Sequence, residues 1–199
     1  MDTIEKYKHY VNPSMFAVEH WGIKPDIMVM AKGITSAYLP FGAVAFSTEI
    51  WNELRGKNIV SYTFAGHPAC AAAAVKAIEI YVREKVVENS ASMGNYALRK
   101  LKHDFEPLPC VGEVSGLGLT LGIEVVADKE SKATFDSSLH IMQELQQKAL
   151  EKGLFVRTAE IASGPGDRIC FAPPLVITEE EIDKALNILY ELLVRLKPN

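Results

Sequence analysis

The chain has 199 residues, of which 48% are hydrophobic and 9% aromatic, with a formal net charge of -4. That is enough apolar material to bury the core of one large domain or two small ones. The absence of any Lys/Arg cluster argues against nucleic acid or anionic lipid as a partner, and no apolar run reaches the ~20 residues of a membrane span.

Met1–Lys8 lacks the apolar core of a signal peptide. After Pro25, Ile27–Met30 is a short apolar run, and Gly42–Phe46 is a second; both read as buried strands of a parallel sheet. Lys32 ends the first run, with the small Ala31 and Gly33 on either side. A lysine amine in water is protonated and attacks nothing. Desolvation frees its lone pair, and such a lysine suits Schiff-base chemistry with a carbonyl cofactor. A lysine pointing its charge into solvent fits the same local context.

Ser47 or Thr48 can cap a short helix with Glu49 in its first turn. Ser61–Ala65 is a further strand candidate, and Pro68 then opens an Ala-rich helix with Cys70, Ala71, Ala74, Ile78 and Tyr81 or Val82 near one face. A second helix is predicted from Val86 to Phe105, ended by Pro107-Leu108-Pro109.

Beyond it the pattern changes. Leu117, Leu119, Leu121, Ile123 and Val125 alternate as one face of a strand. A helix over Ser137–Lys152 stops at Gly153, followed by a strand Leu154–Arg157, a loop Ser163-Gly164-Pro165-Gly166 and a strand Ile169–Phe171. Thr178 and Glu181 form a capping box for a last helix reaching Leu196. The order gives βα units first and an α+β unit afterwards, with a boundary near residues 82–106. Cys70, Cys110 and Cys170 lack the spacing of a disulfide framework or zinc cluster and read as reduced thiols of a cytoplasmic protein. Gly116, Gly118 and Gly122 do not match a dinucleotide loop.

Four segments match a known pattern in order: Met15-Phe16-Ala17-Val18-Glu19-His20-Trp21-Gly22-Ile23-Lys24-Pro25-Asp26, Ala31-Lys32-Gly33, Tyr62-Thr63-Phe64-Ala65-Gly66-His67-Pro68 and Phe171-Ala172-Pro173-Pro174-Leu175. With them the chain resembles the class III (omega) family of pyridoxal 5'-phosphate-dependent aminotransferases, pyruvate-using branch, over about Ser14–Asn199. The resemblance implies an α/β fold. Part of a fold-type I PLP-transferase large domain, with a mostly parallel sheet, is followed by a small α+β C-terminal domain. The implied divisions are an unmatched leader at 1–13, a partial cofactor-binding domain at 14–85, and a linking helix with the small domain at 86–199.

By the same resemblance Lys32 holds the cofactor covalently and shuttles the substrate proton, and Thr63 binds the cofactor phosphate of the neighbouring subunit. Arg157 receives the substrate carboxylate, with Arg168 as a competing candidate. Ornithine-type relatives keep an arginine directly before the phenylalanine; here that position is Cys170, which favours an omega-amino acid or amine donor with a keto acid such as pyruvate. His20, Tyr62 and His67 lie inside matching motifs but read as packing or capping groups; no metal is implied.

The family aspartate that pairs with the pyridine nitrogen falls in register with Thr3, with Asp2 beside it. This departure leads to the expectation that the chain carries only the C-terminal half of such an enzyme. Two function classes follow: a transaminase polypeptide acting as a homodimer or with a complementing half, and an inert fragment that serves only as a binding or assembly partner.

Overall fold

The computed structural model describes residues 14–57, 62–160 and 167–196. The leader positions Asp2 and Thr3, Ser61 and the Ser163–Gly166 loop lie outside the described residues. The chain divides into two compact units, Ser14–Val87 and a second from Glu88 onward.

In the first unit a 3-10 turn over Ala17–Trp21 precedes strand β1, Ile27–Met30, which pairs with β2, Ala43–Phe46. The pairing is antiparallel, from Ile27↔Phe46 to Met30↔Ala43, so the expected parallel arrangement of these two strands is corrected. Nor is the pair buried: Val29 is 76% exposed, and Ile27, Val44 and Phe46 are exposed as well. Apolar runs signal a sheet interior only where something covers both faces, and in this unit the face carrying Ile27, Val29, Val44 and Phe46 is left open while Met28 and Met30 on the other are half-buried.

Helix α1, Thr48–Leu54, starts as the sequence predicts, with Ser47 Oγ accepting from the Ile50 amide at 3.4 Å. Helix α2, Pro68–Arg83, carries proline at its first position and packs on a 3-10 turn, Lys32–Thr35. Its inner face holds Ala74 and Ala77, both buried, whereas Ile78 and Val82 are exposed. Cys70, Ala71, Ala74 and Tyr81 lie on the inner face as expected, with Ala77 there in place of Ile78. The expected strand at Ser61–Ala65 is instead a turn over residues 63–66. It is closed by the Ala65 amide donating to the Tyr62 carbonyl at 2.9 Å.

Helix α3 runs over Val86–Lys100 and continues as one wider π turn, Leu101–Phe105, so the predicted span holds. The second unit contains a four-stranded antiparallel sheet in the order β3-β4-β6-β5, formed by Val111–Leu117, Thr120–Val125, Asp167–Phe171 and Arg157–Glu160 respectively. The long alternating run is therefore two strands. Gly118, at φ 54°, and Leu119 make a two-residue hairpin turn with glycine first. Leu117 pairs with Thr120 and Gly116 with Leu121, so Leu117 falls on the opposite face from Leu121, contrary to the expected common face.

The predicted helix over Ser137–Lys152 is likewise interrupted. A 3-10 turn at Ser137–Leu139 and a left-handed His140, φ 49°, precede helix α4, Ile141–Glu151. Gly153, at φ 85°, then turns the chain out of it. The Leu154 amide is tied back to the Ala149 carbonyl at 2.8 Å, and Gln146 Nε2 donates to the Val156 carbonyl at 2.9 Å. The ladder consequently starts at Arg157 rather than Leu154. Helix α5, Glu179–Leu193, has the predicted reciprocal cap between Thr178 and Glu181.

One apolar core joins the sheet to these helices. Leu101 and Phe105 from the end of α3, Ile123 and Ile169 from the sheet, and Ile182 and Leu193 from α5 are all fully buried. Each fully buried aliphatic side chain contributes about 1.5–3 kcal/mol. Between α3 and the β3–β4 turn the approach is closer than side chains allow: a Cβ on Gly94 would lie 2.2 Å from the Gly118 carbonyl carbon.

Candidate functional site

Lys32 opens the 3-10 turn directly after β1 and Ala31. Its side chain is exposed and has no carboxylate within ion-pair distance among the described residues. A Cβ added at Gly33 would meet nothing within 4 Å, so the backbone next to Lys32 is open on that side. The sequence places Lys32 against a buried strand; in this chain the strand and the lysine are both solvent-facing.

The backbone around Lys32 is held tightly. The Lys32 carbonyl accepts from the Ala37 amide at 3.0 Å, and the Gly33 carbonyl accepts from the Ser36 amide at 3.1 Å. Thr35, fully buried, donates through Oγ1 to the Leu39 carbonyl at 2.7 Å and lies 3.4 Å from the Lys32 carbonyl. Tyr81 of α2 donates its hydroxyl to the Gly33 carbonyl at 2.8 Å. Ser36 and Ala37, both non-glycine, follow in the left-handed region at φ 52° and 62°, a conformation that costs about 1–2 kcal/mol per residue.

Thr63 sits in the turn ahead of α2, exposed, with Tyr62 and Phe64 also directed outward. His67 is the N-cap residue of α2, but its side chain makes no capping hydrogen bond, which corrects the capping role expected for it. His20 packs edge-on against Trp21 with ring centroids 6.0 Å apart.

In the second unit Arg157 is the first residue of β5, exposed, directly opposite Cys170 on β6. The buried Val156 before it fixes its position. Arg168 is otherwise engaged: its Nη2 lies 3.8 Å from Oε1 of the buried Glu124, which also binds Lys132 Nζ at 3.1 Å. Arg157 has no such carboxylate among the described residues. Elsewhere in this unit, a cavity of about 630 Å³ lined by Phe135, Leu139, Leu145 and Leu192 contains none of these candidates.

Sequence reasoning did not single out Thr35 or Tyr81. Thr35 lies one helical turn after Lys32, a spacing at which a hydroxyl can reach back to a carbonyl. Tyr81 was legible only as an inner-face residue of its helix.

The pattern of the aminotransferase class-III family matches residues 13–193. The chain is 39% identical over 195 residues to the uncharacterized aminotransferase y4uB of Sinorhizobium fredii, covering 92% of this chain and 41% of that protein. It is 36% identical over 177 residues to the diaminobutyrate--2-oxoglutarate transaminase of Halomonas elongata, covering 86% of this chain and 37% of that one. Among solved structures, an aminotransferase of Bacillus anthracis matches with a TM-score of 0.84 and 37% identity, over 94% of this chain and 42% of that chain. The chain thus spans about two fifths of the length of these relatives.

Proposed function

Because this chain belongs to the class-III aminotransferase family, we propose that it carries the lysine-bearing and C-terminal parts of a transaminase moving an amino group from an omega-amino acid or amine to a keto acid such as pyruvate. The cofactor of the family is pyridoxal 5'-phosphate, which when bound supplies an electron sink for the substrate carbon. The residues present leave room for it: the Lys32 amine is exposed and free of ion-pair partners among the described residues, so a carbonyl group can reach it. The observation that carries the reading is the family pattern over residues 13–193, which includes Lys32.

In it, Lys32 Nζ is both the covalent anchor and the base that takes and returns the substrate proton. The Thr63 hydroxyl, in a turn leading into a helix N-terminus, binds the phosphate. The helix geometry supports the phosphate being that of a neighbouring copy. Thr63 precedes Pro68, while the Lys32 turn is pinned by Tyr81 at the other end of α2, about 20 Å along the helix axis. Arg157 receives the substrate carboxylate through a bidentate guanidinium contact; the engagement of Arg168 with Glu124 supports that choice. A cytoplasmic location belongs to the same reading, with Cys70, Cys110 and Cys170 all free thiols.

A second reading, an assembly partner without activity of its own, is favoured by the apolar surface of the first unit, where Tyr38 is 85% exposed and Trp21, Val29 and Phe64 are also exposed. One experiment separates the two. The chain is incubated with pyridoxal phosphate, reduced with borohydride and peptide-mapped, with Lys32→Ala as the control. Visible absorbance and a reduced label on Lys32 are expected; a folded chain with no label there overturns the transaminase reading for this polypeptide.

A further inference from the structure

We propose that Tyr81 is a positioning residue for Lys32, acting through the Gly33 carbonyl. The inference rests on the cofactor reading above and deepens it. The Lys32 turn is intrinsically uncomfortable: two consecutive non-glycine residues, Ser36 and Ala37, are left-handed, and a short turn of this kind relaxes unless its surroundings hold it. The holding groups are identifiable. From within the turn, the buried Thr35 hydroxyl spans to the Leu39 carbonyl at 2.7 Å and closes the loop. From outside it, the Tyr81 hydroxyl donates to Gly33 at 2.8 Å across 48 residues of sequence. Ala74 and Ala77 on the same face of α2 are buried and bring the helix close enough for that bond.

The Gly33 carbonyl follows Lys32 by one residue, and the Lys32 carbonyl is itself held by the Ala37 amide. The two peptide planes flanking the Lys32 Cα are held inside the turn, by the Ile34 amide on the Ala31 carbonyl at 2.9 Å and the Ala37 amide on the Lys32 carbonyl; the next plane, Gly33–Ile34, is held from a different element by Tyr81, which keeps the turn from relaxing. Lys32 has no ion pair among the described residues to aim its flexible four-carbon stem, so backbone anchoring is what fixes the point from which the amine reaches out. Tyr81 touches neither cofactor nor substrate in this account. It determines how often the amine is presented where a carbonyl would be attacked.

Tyr81→Phe tests this in the full chain, since it removes the hydroxyl and keeps the ring. Wild type and variant are treated with pyridoxal phosphate and borohydride across pH 6.5–9, and the ratio of label on Lys32 to label on the exposed Lys24 is read from one peptide map. Backbone amide exchange at Ser36 and Ala37 is measured in parallel without cofactor. A purely structural loss would lower both lysines in proportion to the folded fraction.

A positioning role lowers the Lys32-to-Lys24 ratio about 3- to 10-fold, the worth of one hydrogen bond, and speeds exchange at the two amides. Adding Ala37→Gly, which relieves the left-handed strain, is expected to restore part of the ratio. Preferential labelling that Tyr81→Phe leaves unchanged overturns the role of Tyr81 while the cofactor reading stands. No preferential label in wild type overturns the cofactor reading instead, and unchanged amide exchange then overturns the clamp as well.

Discussion

The residue scale turns on a few backbone positions around Lys32. Ala37 holds a left-handed φ of 62° with a side chain that opposes it, so Ala37→Gly removes steric cost while adding unfolded-chain entropy. The expected net effect is a gain of up to about 1 kcal/mol. Trp21 and Trp51 both lie in the first unit, so the urea midpoint followed by tryptophan fluorescence reads it, and a lower midpoint contradicts the strain. What the sequence made legible at this scale was residue type: a lysine flanked by Ala31 and Gly33 with room beside it. It did not reveal Tyr81 or Thr35. Their roles depend on where hydroxyl groups land after folding, and the Tyr81 bond joins positions too far apart for any local pattern to connect.

At the scale of elements, capping chemistry was the most legible signal, since Ser47 and the Thr178–Glu181 box act within four residues of chain. Hairpin parity was not. The leucine alternation runs unbroken through Gly118-Leu119, and nothing in a period of two says where the chain reverses. The Gly94–Gly118 contact is a consequence of that reversal, and Gly94→Ala would drive a methyl into backbone. It is expected to destabilise the second unit by about 1–3 kcal/mol or more, seen as a lower thermal midpoint; an unchanged midpoint would mean the helix and turn are farther apart than described. Helix α3 is also tied to α5 by Asp183, whose carboxylate accepts from Lys100 Nζ at 2.6 Å and from the Tyr96 hydroxyl at 2.8 Å. Lys100 first, then Tyr96, hold the Asp183 pKa below its usual value, while Asp183 holds those of Lys100 and Tyr96 above theirs. The Asp183 contribution is therefore present above the unfolded carboxylate pKa of about 3.9 and lost as pH falls through the folded value. The Lys100 and Tyr96 contributions are present below about pH 10 and lost as pH rises through their folded values. Comparing denaturant stability of wild type and Asp183→Asn should give a difference that is flat from about pH 5 to 9 and shrinks toward acid. A difference that grows below pH 4 would contradict the linkage.

For the whole molecule, the second unit has its own continuous core, whereas the first leaves Ile27, Val29, Val44 and Phe46 exposed on one face of the β1–β2 pair. Such a surface favours association, and light scattering is expected to find species larger than one chain, with Val29→Lys shifting the distribution toward monomer. A wild-type chain that stays monomeric at high concentration contradicts this expectation. Family membership and the mixed α/β class were readable from motifs in order; the direction of strand pairing was not, because apolar runs look alike in parallel and antiparallel sheets. That pairing has a further consequence. Among the described residues β1 and β2 pair only with each other, so each presents an outer row of backbone donors and acceptors, and the ribbon is a template for strand addition from either side. Because Ile27, Val29, Val44 and Phe46 share one face of the ribbon, an added strand would place alternate side chains beside them, and a slip of one residue would turn those side chains to the other face.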